Sequence, residues 1–274
     1  MPLTGTNQGI ELFPEGTSAQ NTLAVQAIAL PDISVVIPIY NESDNIESLV
    51  NEIHASLDKI INYEIIVVDD GSTDDVKKTL LSMMPDTGNR LRLIQHKQNY
   101  GQSTAIYSGV QAARAEWIIT LDGDGQNNPA DILSLINARD QSTLPGLKLV
   151  CGYRKNRNDN FIKRISSRIA NSVRSRILND MTPDTGCGLK LIHRRTFLAL
   201  PCFDHMHRFL PALIRRAGNN TISIEVSHRA RTKGRTKYGI NNRLWTGIID
   251  LLGVIWLNKR NKNAIKSEVT KNDD

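Results

Sequence analysis

The residues best suited to chemistry in this sequence are two aspartates that follow a short apolar run. Asp122 and Asp124 are separated by Gly123 and come directly after Trp117 to Leu121, a run typical of a buried strand. Neighbouring carboxylates raise one another's pKa unless a cation lies between them. The spacing therefore predicts a divalent-metal site at the end of a strand. A turn in which both acids make only local hydrogen bonds is the alternative for so short a pattern.

Two further polar clusters follow apolar runs earlier in the chain. Tyr40 to Glu42 come after the run that begins at Ile33, which we expect Pro38 to end, and Asp69 to Asp74 come after Tyr63 to Val68. The stretches between these runs have the apolar spacing of helices. Strands that are each reached through a helix form a parallel sheet, and such sheets bind ligands beyond the carboxyl ends of their strands. We expect the three polar clusters to share one crevice.

The elements that position these residues predict an α/β fold. We expect a Rossmann-like, mostly parallel sheet with helices on both faces over residues 31–240. Residues 1–30 and 263–274 lack periodicity, which predicts a flexible N-terminal extension and a disordered tail. Residues 241–262 predict an amphipathic helix with Trp245 and Trp256 near the ends of its apolar part. This part is too short to span a bilayer, so we expect an interfacial helix, with docking on the core or on a second subunit as the alternative.

The composition indicates one large domain that handles an anion. The chain has 274 residues, 40% of them hydrophobic, and a formal net charge of +6. Such an excess of cations points to nucleic acid, phosphorylated small molecules or an anionic membrane face. Cys151, Cys187 and Cys202 include no CxxC pair, which argues against a zinc cluster or a disulfide framework. With neither a secretory-signal pattern nor a membrane-spanning run, we expect a cytoplasmic protein bound peripherally to the cytoplasmic face of the membrane.

Two basic segments accompany the later strands. Arg154 to Arg176 interleaves cations with apolar residues, which predicts an amphipathic helix facing core or lipid, or equally an ordinary helix with a solvated basic face. Residues 228–239, here called the basic loop, are cationic and interrupted by glycines. We expect the basic loop to form a mobile lid over an anionic ligand.

Five motifs in order resemble those of the family 2 glycosyltransferases, and most closely the polyprenyl-phosphate, dolichol-phosphate mannosyltransferase-like branch. This resemblance covers roughly residues 33–257. It implies a GT-A fold and an inverting transfer of a hexose from a UDP- or GDP-sugar donor to a lipid phosphate, with Mg²⁺ or Mn²⁺. The motifs are VVIPIYNE (35–42), VVDDGSTD (67–74), NYGQSTAIYSG (99–109), LDGDGQNNP (121–129) and RTKGRTKYG (231–239).

The resemblance also implies roles for single residues. Members of the branch often carry membrane-spanning helices or a membrane partner subunit, and the acceptor position that is often arginine is here Lys190. The donor side comprises Pro38, Tyr40, Glu42, Asp70, Gly101 and Asp122, with Asp70 on the uracil or guanine, and the metal ligands are Asp122, Asp124 and Gln126. The catalytic groups are Asp124, Arg231, Arg235 and Lys237, of which the last three close on the diphosphate. The acceptor side comprises Arg154, Asp184, Lys190, His207 and Arg208.

Other functions remain open at this level. The same fold could pass its sugar to a hydroxyl of a cell-envelope glycolipid or protein, with Asp184 as general base, although Asp184 also suits the cap of a turn. A basic module that binds nucleic acid explains the charge but not the paired carboxylates, and with 5% aromatic residues it lacks a stacking platform. We therefore expect no nucleic-acid partner. A homo-oligomer or a membrane protein partner stays open.

Overall fold

The computed structural model describes residues 30–155, 174–178, 180, 182–230 and 240–260, with backbone alone for residues 240–246. Several sequence predictions lie outside these residues. They are the N-terminal extension before residue 30, most of the basic segment between Arg154 and Arg176, the greater part of the basic loop with Arg231, Arg235 and Lys237, and the tail.

The centre of the molecule is a mostly parallel sheet, as the sequence predicts. Within the described residues its strands are β1 (Ile33–Ile39), β2 (Tyr63–Asp69), β3 (Leu91–Gln95), β4 (Trp117–Thr120), β5 (Leu147–Tyr153), β6 (Lys190–His193) and β7 (Asn220–Glu225). Their spatial order is β3-β2-β1-β4-β6-β5-β7. The strand β6 runs antiparallel to both of its neighbours, whereas the other pairs are parallel.

Helices cover both faces of this sheet. The described helices are α1 (Ser43–Leu57), α2 (Val76–Met83), α3 (Gln102–Ala112), α4 (Asp131–Asp140), α5 (Arg194–Leu198), α6 (Leu210–Arg216) and α7 (Ile240–Lys259), with short 3-10 turns at Met84–Thr87 and Met206–Arg208. On one face α1, α2 and α4 share a core cluster with Val35 and Ile37 of β1. On the other face α3, α5, α6 and α7 pack against a second cluster that includes Val36. The alternation along β1 therefore divides the core into two layers.

The first strand does not end at Pro38, contrary to the sequence prediction. It continues through Pro38, which pairs with Val68, to Ile39. The Val36 carbonyl accepts a hydrogen bond from the Leu121 N–H at 3.1 Å, so the even-numbered residues of β1 direct their backbone groups towards β4. Since β4 pairs with β1 only as far as Val36, no ladder bond is lost at the proline nitrogen.

The strand order reverses at β1, and this point locates the crevice. From β1 the chain passes outward through β2 and β3 on one side, and then returns to place β4 on the other. Ligands of open α/β sheets bind at such a switch point, beyond the carboxyl ends of the strands. Residues 40–42 follow β1 there, and residues 121–126 follow β4. None of the described helices is both long and apolar enough to cross a membrane.

Candidate active site

The two aspartates of the DGDG stretch lie in a tight turn just beyond β4. A Cβ on Gly123 would stand 2.5 Å from Ile39 Cγ2, so glycine allows this turn to lie against β1. Gly125 has a φ of +72°, which other residues resist. Asp124 Oδ1 accepts a hydrogen bond from the Gln126 N–H at 3.1 Å. Asp124 thus makes a local hydrogen bond, whereas the side chain of Asp122 contacts groups from other parts of the chain.

Asp122 is held in a close-fitting pocket of groups that are distant in sequence. Gln102 Nε2 donates to Asp122 Oδ1 at 2.8 Å. A Cβ on Gly188 would lie 2.2 Å from Asp122 Cγ, so the carboxylate packs directly on the glycine backbone. The Gly188 carbonyl is itself fixed by the Thr120 hydroxyl, which donates to it at 2.7 Å. Burial, and then the charge of Asp124, raise the pKa of the Asp122 carboxyl above its ordinary value.

This acid pair fits a divalent cation. Asp122 is a half-buried carboxylate whose pKa is raised by desolvation and then by Asp124, so it gains from a cation placed between the two groups. In the described parts of the chain no group of three or more His, Cys, Asp or Glu residues is placed to hold a metal ion, so an ion at the acid pair would need other ligands as well. Asp122, Asp124 and the Gln126 amide supply oxygen donors of the kind that Mg²⁺ and Mn²⁺ accept together with phosphate oxygens.

The loops that follow β1 and β2 are joined at the predicted donor side. Asn41, with a φ of +53°, donates its N–H to Ser72 Oγ at 2.8 Å, and its side-chain oxygen accepts from the Thr73 N–H at 2.7 Å. Glu42 is buried and accepts from Asn45 Nδ2 at 2.8 Å. These bonds hold the segment that contains Tyr40 and Glu42 against the loop that follows β2. The donor-binding roles of these two residues remain predictions.

Asp70 binds the loop that follows β3. Its Oδ1 accepts from His96 Nδ1 at 2.7 Å and from the Tyr100 N–H at 2.9 Å, and its Oδ2 accepts from the Gly101 N–H at 2.8 Å. A Cβ on Gly71 would meet the Gln98 backbone carbon at 2.5 Å, so the two loops touch through their backbones. The structure thus brings Asp70 and Gly101 together, as predicted for one site, and adds His96, which we had not predicted.

On the predicted acceptor side, Arg154 and Asp184 form a bidentate ion pair. Arg154 Nε donates to Asp184 Oδ2 at 2.7 Å and its Nη2 donates to Oδ1 at 3.0 Å. Asp184 Oδ1 also accepts from the Gly186 N–H at 3.1 Å, which is the turn-capping bond expected as the alternative to a catalytic role. The carboxylate is therefore occupied by donors, and its general-base role remains a prediction.

Lys190 and His207 line a small cavity beneath Asp122. The cavity measures about 10 Å³, room for about one water molecule, and Pro38 and Gly188 also line it. Lys190 is 3% exposed and its Nζ donates to the Cys187 carbonyl. A buried ammonium this close to the acid pair lowers the pKa of Asp122, against the larger effects of burial and of Asp124.

His207 lies just before a helix and not in it. It lies with Arg208 in the 3-10 turn Met206–Arg208, and α6 begins only at Leu210, which is followed by Pro211 in the first turn. His207 Nδ1 lies 2.8 Å from Ser103 Oγ. Burial, and then the charge of Lys190, hold the pKa of His207 well below its usual value, so this imidazole is neutral at pH 7.

The chain enters the basic loop beside the DGDG turn. Asn127 and His228 form an antiparallel bridge, and the Arg229 N–H donates to the Gln126 carbonyl at 3.0 Å. The Ser227 N–H donates to Asp131 Oδ2 at 2.8 Å. These bonds fix the start of the basic loop against the DGDG turn, with residue 230 as the last described residue before Arg231.

Three groups of this site were missed by sequence reasoning, namely Gln102, Gly188 and His96. Gln102 directly follows Gly101, so its position at the start of a helix that faces the crevice was a usable signal. Gly188 contacts Asp122, and His96 contacts Asp70, each across two separate loops. Neither residue lies in a sequence pattern that predicts such a contact.

Comparisons with known proteins agree with this geometry. A family model described as glycosyl transferase family 2 matches residues 34–199. Dodecaprenyl-phosphate galacturonate synthase of Rhizobium johnstonii is 35% identical over 229 residues, which are 82% of this chain and 67% of that protein. Undecaprenyl-phosphate 4-deoxy-4-formamido-L-arabinose transferase of Aeromonas hydrophila is 34% identical over 209 residues, which are 76% of this chain and 63% of that protein. The chain thus spans about two thirds of the length of these relatives.

A solved structure of similar fold is glucosyl-3-phosphoglycerate synthase of Mycobacterium tuberculosis, in complex with Mn²⁺, UDP and glucosyl-3-phosphoglycerate. It superposes with a TM-score of 0.62 at 18% identity and covers 83% of this chain and 80% of that one. At this level of identity the likeness concerns the fold, and it agrees with the predicted GT-A architecture.

Proposed function

The chain belongs to glycosyltransferase family 2, and from this premise we propose that it moves a hexose from a UDP- or GDP-sugar to a polyprenyl phosphate. The observation that carries the proposal is the half-buried acid pair Asp122 and Asp124 beside the buried Lys190. The carboxylates can bind a cation that holds the donor diphosphate, and the ammonium of Lys190 can attract a second phosphate. This pairing at one switch point suits a reaction between two phosphate-bearing ligands. The names of the two curated relatives, which denote transfer to polyprenyl phosphates, support the same acceptor class.

The donor lies across the ends of β2, β1 and β4 in this proposal. Asp70 follows β2 and Asp122 follows β4, with β1 between these strands. Two strand spacings separate them by about 10 Å. This span suits a nucleoside diphosphate whose base lies at Asp70 and Gly101 and whose phosphates lie at Asp122. Pro38, Tyr40 and Glu42 then flank the ribose from the middle strand.

Asp122, Asp124 and Gln126 would hold Mg²⁺ or Mn²⁺ in this site. When bound, the ion would neutralise charge on the leaving nucleoside diphosphate. Gln102 and Gly188 keep the Asp122 carboxylate in place, because one donates to it and the other forms the surface on which it packs. Arg231, Arg235 and Lys237 would add positive charge to the same leaving group, which stabilises the transition state more than the ground state. The anchoring of Arg229 on Gln126 supports this role.

The acceptor is a phosphate rather than a hydroxyl in this proposal. A phosphate monoester, with a second pKa near about 6, is largely ionised at neutral pH and needs no general base. Asp184, the candidate base for a hydroxyl, accepts two hydrogen bonds from the Arg154 guanidinium, one from the Arg154 N–H and one from the Gly186 N–H. Lys190 and Arg154 supply positive charge on this side of the site, together with Arg208 and the neutral His207 as candidate hydrogen-bond donors.

We propose a peripheral location on the cytoplasmic face of the membrane, and the helix α7 supports the contact with a membrane surface. Its Val254 is buried on the core, whereas Ile249, Leu252 and Trp256 are 60–66% exposed. Arg260 lies over the Trp256 ring, with its guanidinium carbon 5.4 Å from the ring centroid. Exposed apolar side chains beside a cation suit the boundary between lipid headgroups and acyl chains. A second copy of the chain or a membrane protein partner is the alternative occupant of this surface.

A product assay tests the proposal. The protein is incubated with Mn²⁺, a panel of labelled UDP- and GDP-sugars, and a polyprenyl phosphate in detergent, and the lipid fraction is analysed for sugar. We expect a lipid-linked sugar with at least one donor, lost on addition of EDTA. Donor binding without any lipid product would contradict the acceptor, and loss of turnover in Asp184→Asn with intact donor binding would favour a hydroxyl acceptor instead.

A further inference from the structure

The hydrogen bonds of Asp70 bear on which nucleotide of the sugar donor the site accepts. This side chain is 3% exposed and stands at the carboxyl end of β2. Each oxygen of a carboxylate can accept two hydrogen bonds. Oδ1 accepts two, from His96 Nδ1 and from the Tyr100 N–H, whereas Oδ2 accepts one, from the Gly101 N–H. Among the residues that the structure describes, one acceptor position of Asp70 therefore has no donor, and it is on Oδ2.

His96 is fixed from both ends. Because a carboxylate only accepts hydrogen bonds, His96 Nδ1 must donate to Asp70. His96 Nε2 lies 2.9 Å from Ser108 Oγ on α3. The imidazole also meets the Tyr100 ring edge to face at 5.5 Å between centroids. His96 thus connects the β2 end, the helix α3 and the loop that carries Tyr100, and it holds Asp70 in one rotamer.

We propose that His96 is a positioning and specificity-determining residue that makes the site select uracil over guanine. This inference rests on the proposed function, since it requires a nucleotide base at Asp70. Uracil offers a single imino N–H, which matches the one acceptor position left on Oδ2. Guanine offers two adjacent N–H groups that pair best with both oxygens of a carboxylate, but His96 and the Tyr100 N–H together fill the second oxygen, Oδ1. The donor is therefore a UDP-sugar.

Titration calorimetry with Mn²⁺ tests this inference on UDP, GDP and inorganic pyrophosphate. The wild-type protein should bind UDP more tightly than GDP. In His96→Ala we expect UDP affinity to fall about tenfold, the size of one lost charged hydrogen bond. GDP affinity should fall less than threefold, because Oδ1 becomes available to guanine. Pyrophosphate affinity should not change, since it has no base.

Two conservative variants separate positioning from general damage. The amide of His96→Asn can still donate to Asp70, so it should restore the UDP preference, whereas the longer His96→Gln reaches towards Ser108 instead and should not. His54→Ala is the matched control, because His54 Nδ1 lies 2.5 Å from the Tyr63 hydroxyl at the opposite end of β2. It should lower the melting temperature while leaving the ratio of UDP to GDP affinity unchanged.

The possible failures are distinguishable. Tighter binding of GDP than of UDP by the wild-type protein would overturn the inference alone. So would an unchanged ratio of the two affinities in a folded His96→Ala protein, or an equal change of the ratio in His54→Ala. If the wild-type protein bound neither nucleotide in the presence of Mn²⁺, the proposed function would fall and this inference with it.

Discussion

At the scale of single residues, Asp122 and Asp124 have different surroundings although they are only two positions apart. Asp122 is enclosed by Gln102 and Gly188, and its pKa is raised first by burial and then by the Asp124 charge. Asp124 contacts the Gln126 N–H and contributes the repelling charge. Removing that charge should therefore relieve Asp122 in the metal-free protein while destroying the cation site.

Asp124→Asn should reduce transfer at least about a hundredfold, the usual effect of losing one group that stabilises transition-state charge. Its melting temperature without metal should equal or slightly exceed that of the wild-type protein. Mn²⁺ with UDP should raise the melting temperature of the wild-type protein and leave the variant unchanged, because only a bound native state is stabilised. Thermal-shift scans with and without EDTA check both statements, and full activity in Asp124→Asn would remove this residue from the site.

Gly188→Ala should disable the site without touching an ionisable group. The added Cβ would stand 2.2 Å from Asp122 Cγ, so the carboxylate must leave its place. We expect Mn²⁺-dependent UDP binding to weaken at least about tenfold, in line with the loss of a group that orients a metal ligand. Gly253→Ala is the control, because a Cβ there meets nothing within 4 Å. Equal affinity in Gly188→Ala and Gly253→Ala would show that the Asp122 position is not critical.

Residues that act through sequence neighbours were predictable, and those that act across loops were not. The acid pair follows an apolar run and is readable directly. Gln102 reaches Asp122 across 20 positions, and His96 reaches Asp70 across 26. Such contacts depend on the order of the strands in the sheet. A periodic pattern in the sequence shows only which face of its own helix or strand is buried.

At the scale of elements, the parallel half of the sheet was predictable and the insertion of β6 was not. The strands β1, β2 and β4 are apolar runs reached through helices, which implies parallel pairing. The strand β6 is Lys-Leu-Ile-His with all four side chains buried, so it has no alternation of polar and apolar residues. Its antiparallel place between β4 and β5 depends on partners for Lys190 and His193, which include the Cys187 carbonyl and Glu116.

One buried acid joins several elements at the opposite end of the sheet. Glu64 of β2 is 1% exposed and accepts hydrogen bonds from Ser34 of β1, Arg92 of β3, and both the N–H and Nε of Arg114. Burial alone would raise the pKa of Glu64, but these donors lower it below its usual value of 4.5. A folded-state pKa below the unfolded value adds stability above the unfolded pKa, and this stability is lost as pH falls through the folded value.

Glu64→Gln should therefore lower the free energy of unfolding at pH 7 by about 2 kcal/mol, typical for loss of a charged hydrogen-bond acceptor. The difference from the wild-type protein should shrink below about pH 4.5 as the wild-type carboxyl becomes protonated. Urea unfolding across pH 3 to 7 measures this, with the exposed Glu47→Gln on α1 as the control. A difference that stays constant with pH would show that the charge of Glu64 contributes nothing.

At the scale of the whole molecule, the sheet has two chemically different ends and one apolar flank. Loops at the carboxyl end gather the acid pair, Lys190 and Asp70, whereas the other end is closed by Glu64. The helix α7 lies on the α3 side, and Arg216 Nε donates to its Leu257 carbonyl at 3.2 Å. The helix α7 is thus packed on the same domain that forms the crevice. If the exposed face of α7 lies on a membrane, a phosphate at the membrane surface could reach the site.

This arrangement predicts that lipid binding and chemistry can be separated. Leu252→Glu combined with Trp256→Glu places two charges on the exposed face of α7, where each apolar side chain would otherwise gain about 2 kcal/mol on entering lipid. We expect co-flotation with anionic vesicles to fall at least about tenfold, and transfer to a vesicle-bound polyprenyl phosphate to fall with it. Transfer to a short, water-soluble prenyl phosphate should change less than twofold.

The matched control for this prediction is Leu81→Glu, since Leu81 is 49% exposed on α2, on the opposite face of the sheet. It adds a charge of the same sign without altering α7, so vesicle binding should stay near the wild-type level. Equal losses in both proteins would indicate that net charge, rather than the apolar face of α7, controls membrane binding. Unchanged flotation of the double variant, with a smaller particle in solution than the wild-type protein, would assign this face to contact with a second copy of the chain.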